Sequence, residues 1–279
     1  MMKNLGLDYE SLKKENPQLI MTSITPFGQD GPYSKFKGAD IVCWAMGGMM
    51  YHCGEPDRPP NQCSFAQAYL HSGAEAAAAT MIALYHRGLS GEGQHIDVSV
   101  QACVSWTTCN ALEYWPLTGC NQRRVGVFRE RGRTGRERIV YRCQDGYVCF
   151  MKVGGQVGAT FVPKMVQWLD EEGLVTENMR SIHWEKGVDM VALPQDILDE
   201  FGKAQKCLFA KYTVGKIYQE ALKRGIMLYP LSTAKDIAEN EQLEARNYWE
   251  KLDFPELGEK ISHCGAAVKL SEVPLKIKR

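Results

Sequence analysis

The sequence carries no net charge. Its 279 residues hold 33 basic and 33 acidic side chains, and that balance argues against a general role on nucleic acid or on an anionic membrane surface. No apolar run approaches the ~20 residues needed to span a bilayer. The opening MMKNLGLDYESLKKENPQ is too polar for a secretory leader. The ten cysteines include no C-x-x-C pair and no Cys/His set at zinc-site spacing. Several lie in apolar settings, such as Cys43 beside Trp44, Cys103 in ACVSW and Cys149 in YVCF. They are expected as buried, reduced thiols of a cytoplasmic protein, with no metal centre. The histidines are scattered, and none pairs with a Ser or Cys in a nucleophile motif. Gly154-Gly155-Gln156-Val157-Gly158 lacks both the Lys-Ser/Thr of a phosphate loop and the dinucleotide glycine spacing. One absence is local: no Asp or Glu occurs between Asp57 and Glu75.

What is present is enough for a core. The hydrophobic fraction is 44%, and the length allows one large domain or two modest ones. Residues 7–15 read as a short amphipathic helix ended by Asn16-Pro17, since the residue before proline is pushed out of the helical region. Residues 18–24, QLIMTSI, read as a buried strand that empties into the loop TPFGQDGPY. Ligands in open α/β sheets bind beyond strand ends, although most such loops are plain connections. Residues 39–50 are apolar, and GEPDRPPN at 54–61 is an exposed loop. From Ser64 the alanine-rich run SFAQAYLHSGAEAAAATMIALYHRG predicts one long helix, with Gly88 as its stop. The turn SGEGQ and the alternating strand HIDVSV follow, then a helix over about 100–115 that stops before Pro116. RRVGVFRERGRTGRER, at 123–138, is read as a solvated linker, with contact to an anionic ligand or a partner as the alternative. IVYRC, Gln144-Asp145-Gly146 and YVCFMKV form a hairpin signature. Helical periodicity returns at 161–169, 197–209, 214–223 and 233–245. Residues 226–231, 248–254 and 268–270 read as extended.

Taken together, NPQLIMTSITPFGQDGPY, GADIVCWAMGG, the Gly-Glu-Pro loop and the helix ending ALYHRG-x-SGEGQHIDVSV closely resemble the family III CoA-transferases, of the CaiB/BaiF type. That family holds formyl-CoA and carnitine CoA-transferases and, as relatives, 2-methylacyl-CoA racemases. The later DGYV hairpin, the RGI-x-x-x-P-L-S-T run, ARNYW and LSEVP fit more loosely. The resemblance implies an α/β fold: part of a Rossmann-like, CoA-binding large domain over 1–122, a linker at 123–138, a smaller α+β domain over 139–232, and a segment over 233–279 returning toward the large domain. It also implies that the chain is an internal piece of a longer architecture, and that the family's interlocked dimer is its setting.

In the family, an aspartate at the start of the long helix attacks an acyl-CoA thioester. A mixed anhydride forms, CoA thiolate leaves, and an aspartyl-CoA thioester then passes CoA to an acceptor carboxylic acid. Counting back from Gly91-Glu92-Gly93-Gln94 puts that position at Tyr69, or at Ala68 with one gap. Neither is an acid. Glu75 lies about six residues on, roughly 9 Å along the axis. The resemblance places CoA contacts at Ile24, Thr25, Pro26 and Phe27, largely through backbone, with Thr25 where some members have lysine. Some members, such as succinyl-CoA:benzylsuccinate CoA-transferase, are heteromers of paralogous subunits. The expectation is therefore a CoA-transferase subunit without its own nucleophile, working on an acyl-CoA and a carboxylic acid, as a homodimer or beside an Asp-bearing paralogue. Two alternatives are an acyl-CoA racemase-like relative, whose aspartate would again fall at Ala68 or Tyr69, and a non-enzymatic CoA-binding fragment.

Overall fold

The computed structural model describes residues 2–132, 135–273 and 275. The chain divides into two compact units, one of residues 1–138 with 191–199 and one of residues 139–190 with 200 onward.

The first unit starts with α1 (Tyr9–Glu15). The Asp8 carboxylate caps it, accepting from the Ser11 N–H and hydroxyl, and Asn16 ends it ahead of Pro17. Strand β1 (Met21–Thr25) leads through the glycine-rich loop to α2 (Asp40–Met46) and α3 (Met49–His52). The long helix α4 (Ala68–Ser90) then delivers the chain to β2 (His95–Ser99). Strands β1 and β2 pair in parallel, Met21 opposite His95 and Thr25 opposite Ser99, so β1, α4 and β2 include a helical crossover. Thr22 and Thr80 share a 2.7 Å hydroxyl contact that ties strand to helix. Helix α5 (Val100–Thr107), capped by Ser99, and α6 (Cys109–Thr118) follow. Cys43, Trp44, Ala68, Val100 and Val104 form the core at the start of α4, with Met49, Met50 and Cys53 packed against them.

Several expectations are corrected here. The long helix begins at Ala68 rather than Ser64, and runs through Gly88. It ends where Gly91, at φ 76°, adopts the left-handed conformation and returns its N–H to Arg87 O. Gly93 is required for a different reason: a Cβ there would lie 2.0 Å from the Leu19 carbonyl oxygen. The single helix expected over 100–115 is two. Thr108 leaves helical geometry, and its hydroxyl bonds Ser105 O at 2.9 Å. Pro116 sits inside the second helix, which Gly119 closes. The arginine-rich stretch at 123–138 is not open chain. Within it, β3 (Phe128–Arg131) and β4 (Gly135–Arg138) pair antiparallel, and Arg136 and Arg138 lie 4.7 and 4.6 Å from the Phe128 ring centre. Arg131 pairs with the buried Glu137.

The second unit holds the expected hairpin, β5 (Val140–Arg142) and β6 (Tyr147–Phe150). It is extended antiparallel by the edge strand β7 (Leu228–Pro230), where a proline is tolerated. Helices α7 (Gly155–Ala159), α8 (Val162–Glu171), α9 (Glu177–Arg180), α10 (Gln195–Ala210, from residue 200 in this unit) and α11 (Val214–Arg224) follow. Met165, Trp168, Leu169, Phe201, Leu208, Phe209 and Ile217 are buried, as the helical spacing requires. The run at 233–245 is two short helices, α12 (Ala234–Ala238), opened by a Thr233/Asp236 capping box, and α13 (Glu241–Ala245). Strand β8 (Trp249–Phe254) pairs with β9 (Glu259–Cys264), which the sequence reading did not mark, and residues 268–270 form no strand.

Candidate functional site

The start of α4 is a helix end without a cap of its own. Gln67, the residue before it, has helical dihedrals and makes no side-chain capping bond. The first turn of any helix leaves N–H groups unsatisfied. One of them, Tyr69 N–H, donates to Asp40 Oδ1 at 2.9 Å, from the first residue of α2. The carboxylate at this helix start therefore comes from 29 residues upstream. Ala68 is fully buried against Cys43 and Trp44, while the Tyr69 side chain is about half exposed. Ser72 donates back to Tyr69 O at 3.1 Å, and the His71 ring lies 6.2 Å from that of Trp44. Trp44 Nε1 is buried with no hydrogen-bond partner among the described residues.

Asp40 is the residue that reasoning from sequence missed. It stood in the GAD motif at the head of an apolar run, and nothing in that run says which distant N–H it meets. Glu75 is not brought to the helix start. Six residues turn an α-helix by about 600°, so it points about 120° around the helix from position 69. It borders a cavity of about 330 Å³ with Asp97, Cys103 and Trp106. Burial first, and then the Glu75 charge, push the Cys103 thiol above its ordinary value.

The loop after β1 is held by its backbone. Pro26 O accepts from Gln101 N–H at 3.0 Å and from the Cys43 thiol at 3.6 Å. Ile24 is exposed, and the Thr25 hydroxyl is buried without a hydrogen-bond partner among the described residues. Phe27 meets Tyr33 edge-on, and Tyr33 stacks on Phe36 with centroids 5.0 Å apart. Beyond it, Gln29 N–H donates to Asp97 Oδ2 at 2.7 Å. The Ser23 hydroxyl and His95 Nε2 lie 3.0 Å apart, with His95 stacked on Tyr9. Cys43 touches both the Pro26 carbonyl and the core around Ala68. Helix α2 thus contacts both the loop, through Cys43, and the first turn of α4, through Cys43 and Asp40. Among the described residues, no group of three His, Cys, Asp or Glu is placed to hold a metal. No helix there is long and apolar enough to cross a membrane.

The comparisons with known proteins converge. The chain is 29% identical over its whole length to the succinyl-CoA:(R)-benzylsuccinate CoA-transferase subunit BbsE of Thauera aromatica, covering 66% of that protein. Over 121 residues, 43% of this chain and 30% of the relative, it is 42% identical to a succinate–glutarate CoA-transferase of Agrobacterium fabrum. The chain therefore spans less than two thirds of the length of these curated relatives, narrowly so for the first. A crystal structure of a CAIB/BAIF family protein from Brucella suis superposes with a TM-score of 0.76 at 27% identity, over 99% of this chain and 67% of that one. The model of CoA-transferase family III matches residues 1–279, and the chain belongs to that family.

Proposed function

We propose that this chain is a subunit of an enzyme that moves CoA between an acyl-CoA and a carboxylic acid, and that it is the subunit without the nucleophilic aspartate. The observation that carries this reading is the first turn of α4. Ala68 and Tyr69 stand at the position where the family resemblance puts the acid, and a tyrosine cannot form the acyl anhydride. The similarity over the full chain to a relative described as a subunit supports it. So does the outer face of α4, where Leu70, Met81, Ile82, Tyr85 and Leu89 are all more than 60% exposed. Apolar surface of this extent suits a protein partner.

In this reading, Ile24, Thr25, Pro26 and Phe27 hold CoA, and an Asp-bearing paralogue supplies the nucleophile. That aspartate attacks the thioester carbonyl, and the C–S bond breaks as CoA thiolate leaves. The thiolate then attacks the aspartyl carbonyl and releases the acyl group as its carboxylate. The acceptor carboxylate finally takes CoA from the aspartyl thioester through a second anhydride, regenerating aspartate. The enzyme would work in the cytoplasm.

A second reading rests on Asp40. Its carboxylate already lies at the helix start, where the N-terminal dipole favours an anion, and it could serve as the nucleophile itself. One experiment separates the two. The chain is purified alone and with its paralogue, incubated with succinyl-CoA, and quenched with hydroxylamine, which converts an aspartyl thioester into a hydroxamate detectable by mass. A hydroxamate on the paralogue alone supports the first reading. A hydroxamate on Asp40 of the lone chain, lost in Asp40→Asn, replaces the first reading with the second.

A further inference from the structure

Side chains alternate along β1 and β2, and the register sets Ser23 opposite Asp97, so Ser23, His95 and Asp97 share one face of the strand pair. On that face the Ser23 hydroxyl lies 3.0 Å from His95 Nε2, although 72 residues separate them in sequence. The Gln29 side-chain nitrogen lies 3.2 Å from the same ring nitrogen. A hydroxyl and an amide N–H both donate, so the two contacts are met together when Nε2 is the unprotonated, accepting nitrogen. It has one lone pair, and two donors share it. The surroundings hold the group in place. The His95 ring stacks on Tyr9 with centroids 5.2 Å apart, and Asp97 Oδ2 fixes the Gln29 N–H at 2.7 Å. Ser23 and His95 are half-buried, while Gln29 is exposed. A second serine–histidine contact, Ser90 Oγ to His86 Nδ1 at 3.2 Å, is of another kind. The Ser90 hydroxyl also reaches His86 O at 3.0 Å and accepts from Glu92 N–H, so it serves the end of α4. Among the described residues no carbonyl competes for the Ser23 hydroxyl.

We propose that Ser23 and His95 are a nucleophile and base that hydrolyse activated acyl groups, giving this chain an acyl-thioester hydrolase activity with water as the acceptor. Ser23 Oγ attacks the carbonyl carbon as its proton passes to His95 Nε2. The ring nitrogen then no longer accepts, and the Gln29 amide donates instead to the carbonyl oxygen as that oxygen gains charge. The C–S bond breaks, the thiolate takes the proton from His95, and the acyl group remains as a serine ester. Water attacks that ester, His95 takes a water proton and returns it to Ser23 Oγ, and the carboxylic acid leaves. One water and one thioester are consumed, and one thiol and one acid form. Ser23 directly precedes the loop at Ile24, Thr25, Pro26 and Phe27. That the thioester is an acyl-CoA rests on the reading of this loop as a CoA contact; the serine–histidine pair does not.

The test uses the full chain alone, with no acceptor acid, so its failure is distinguishable from failure of the CoA-transfer reading. The protein is incubated with p-nitrophenyl acetate and, separately, with succinyl-CoA. Release of nitrophenolate and of free thiol is followed, and acid-quenched protein is mapped by mass. The expected result is hydrolysis of both, with an acyl ester on Ser23, and loss of both activities when phenylmethylsulfonyl fluoride modifies Ser23. Ser23→Ala and His95→Gln should bring both rates down to that of buffer. Gln29→Ala should slow them on the order of a hundredfold with the ester still on Ser23. Hydrolysis of the acetate ester alone, through Ser23, would uphold the pair and count against the CoA reading of the loop. A folded chain whose Ser23 takes up neither an acyl group nor the sulfonyl fluoride would overturn the proposal, as would hydrolysis that persists in Ser23→Ala or proceeds through an acyl group on Asp40. The mapping and the inhibitor need no variant, so they decide the matter even if a substitution prevents folding.

Discussion

Helix α4 in the first unit and helices α8 and α10 in the second obey the same spacing with opposite contents. Along α4 the buried positions are Ala68, Ser72, Ala76 and Ala83, a stripe of small side chains, while the large ones, Leu70, Met81, Ile82, Tyr85 and Leu89, face outward. Along α8 and the part of α10 in this unit, the large buried residues are Val162, Met165, Trp168, Leu169, Phe201, Leu208 and Phe209, with Ala204 and Gln205 buried among them. The second unit draws its stability from volume packed inside. The first brings its longest helix close to the sheet by keeping the contact side small, and holds its apolar bulk in reserve. Periodicity identifies both as helices, but only the second kind shows which face is the inside.

The contrast can be broken experimentally. Phe201→Ala empties a fully buried ring and should cost about 3–5 kcal/mol, read as a fall in the urea midpoint of the second unit. If it costs no more than a surface change, the second unit is not held by its core. Arg124→Met removes three charge-assisted bonds to carbonyls in the first unit and should cost about 2 kcal/mol, with faster amide exchange confined to residues 51–63. Asp40→Ala leaves Tyr69 N–H without its acceptor. It should cost about 1 kcal/mol, and exchange at the first turn of α4 should quicken while the end near Gly91 is unchanged.

Acid should separate the units next. Burial holds His52 below its ordinary 6.5, so its contribution is present above that value and is lost as pH falls below it. In the second unit a hydrogen bond from Arg224 holds Glu171 below 4.5, and bonds from Lys211 and Tyr212 do the same for Glu172. Those contributions persist down to about pH 4.5 and are lost below it. Hydrogen exchange followed from pH 7 to 4 should show residues near His52 loosening first; simultaneous loosening would remove the distinction. The smallest effect is expected for Ile82→Ser on the outer face of α4. It should change the stability of the lone chain by no more than about 0.5 kcal/mol, but weaken association with a partner in a pull-down titration.

Much of this was legible in the sequence, for reasons that differ by element. The β5–β6 hairpin announces itself through Asp145-Gly146 between alternating runs, and α11 through the helical periodicity of residues 214–223. The hairpin of β3 and β4 did not, because its apolar contacts are arginines laid on Phe128 and its buried acid, Glu137, is matched by Arg131 across the strands. Charge reads as solvent until its partner is known. The break between α5 and α6 is likewise a tertiary matter, fixed where the Thr108 hydroxyl reaches Gly47 O at 3.4 Å. At the candidate site, that neither Ala68 nor Tyr69 is an acid is plain in the residues themselves. The arrival of Asp40 is not, because it depends on how α2 lies against α4.

The small stripe of α4 also sets how this helix can vary. At Ala68, Ala76 and Ala83 the constraint is size, so leucine, favoured by every hydropathy scale, should be among the worst replacements there. At Met81, Ile82, Tyr85 and Leu89, lysine or glutamate should be tolerated in the lone chain. In a library of α4 variants, survival would then run opposite to hydropathy, and selecting the same library in the presence of a partner would reveal which outward residues that partner had been constraining.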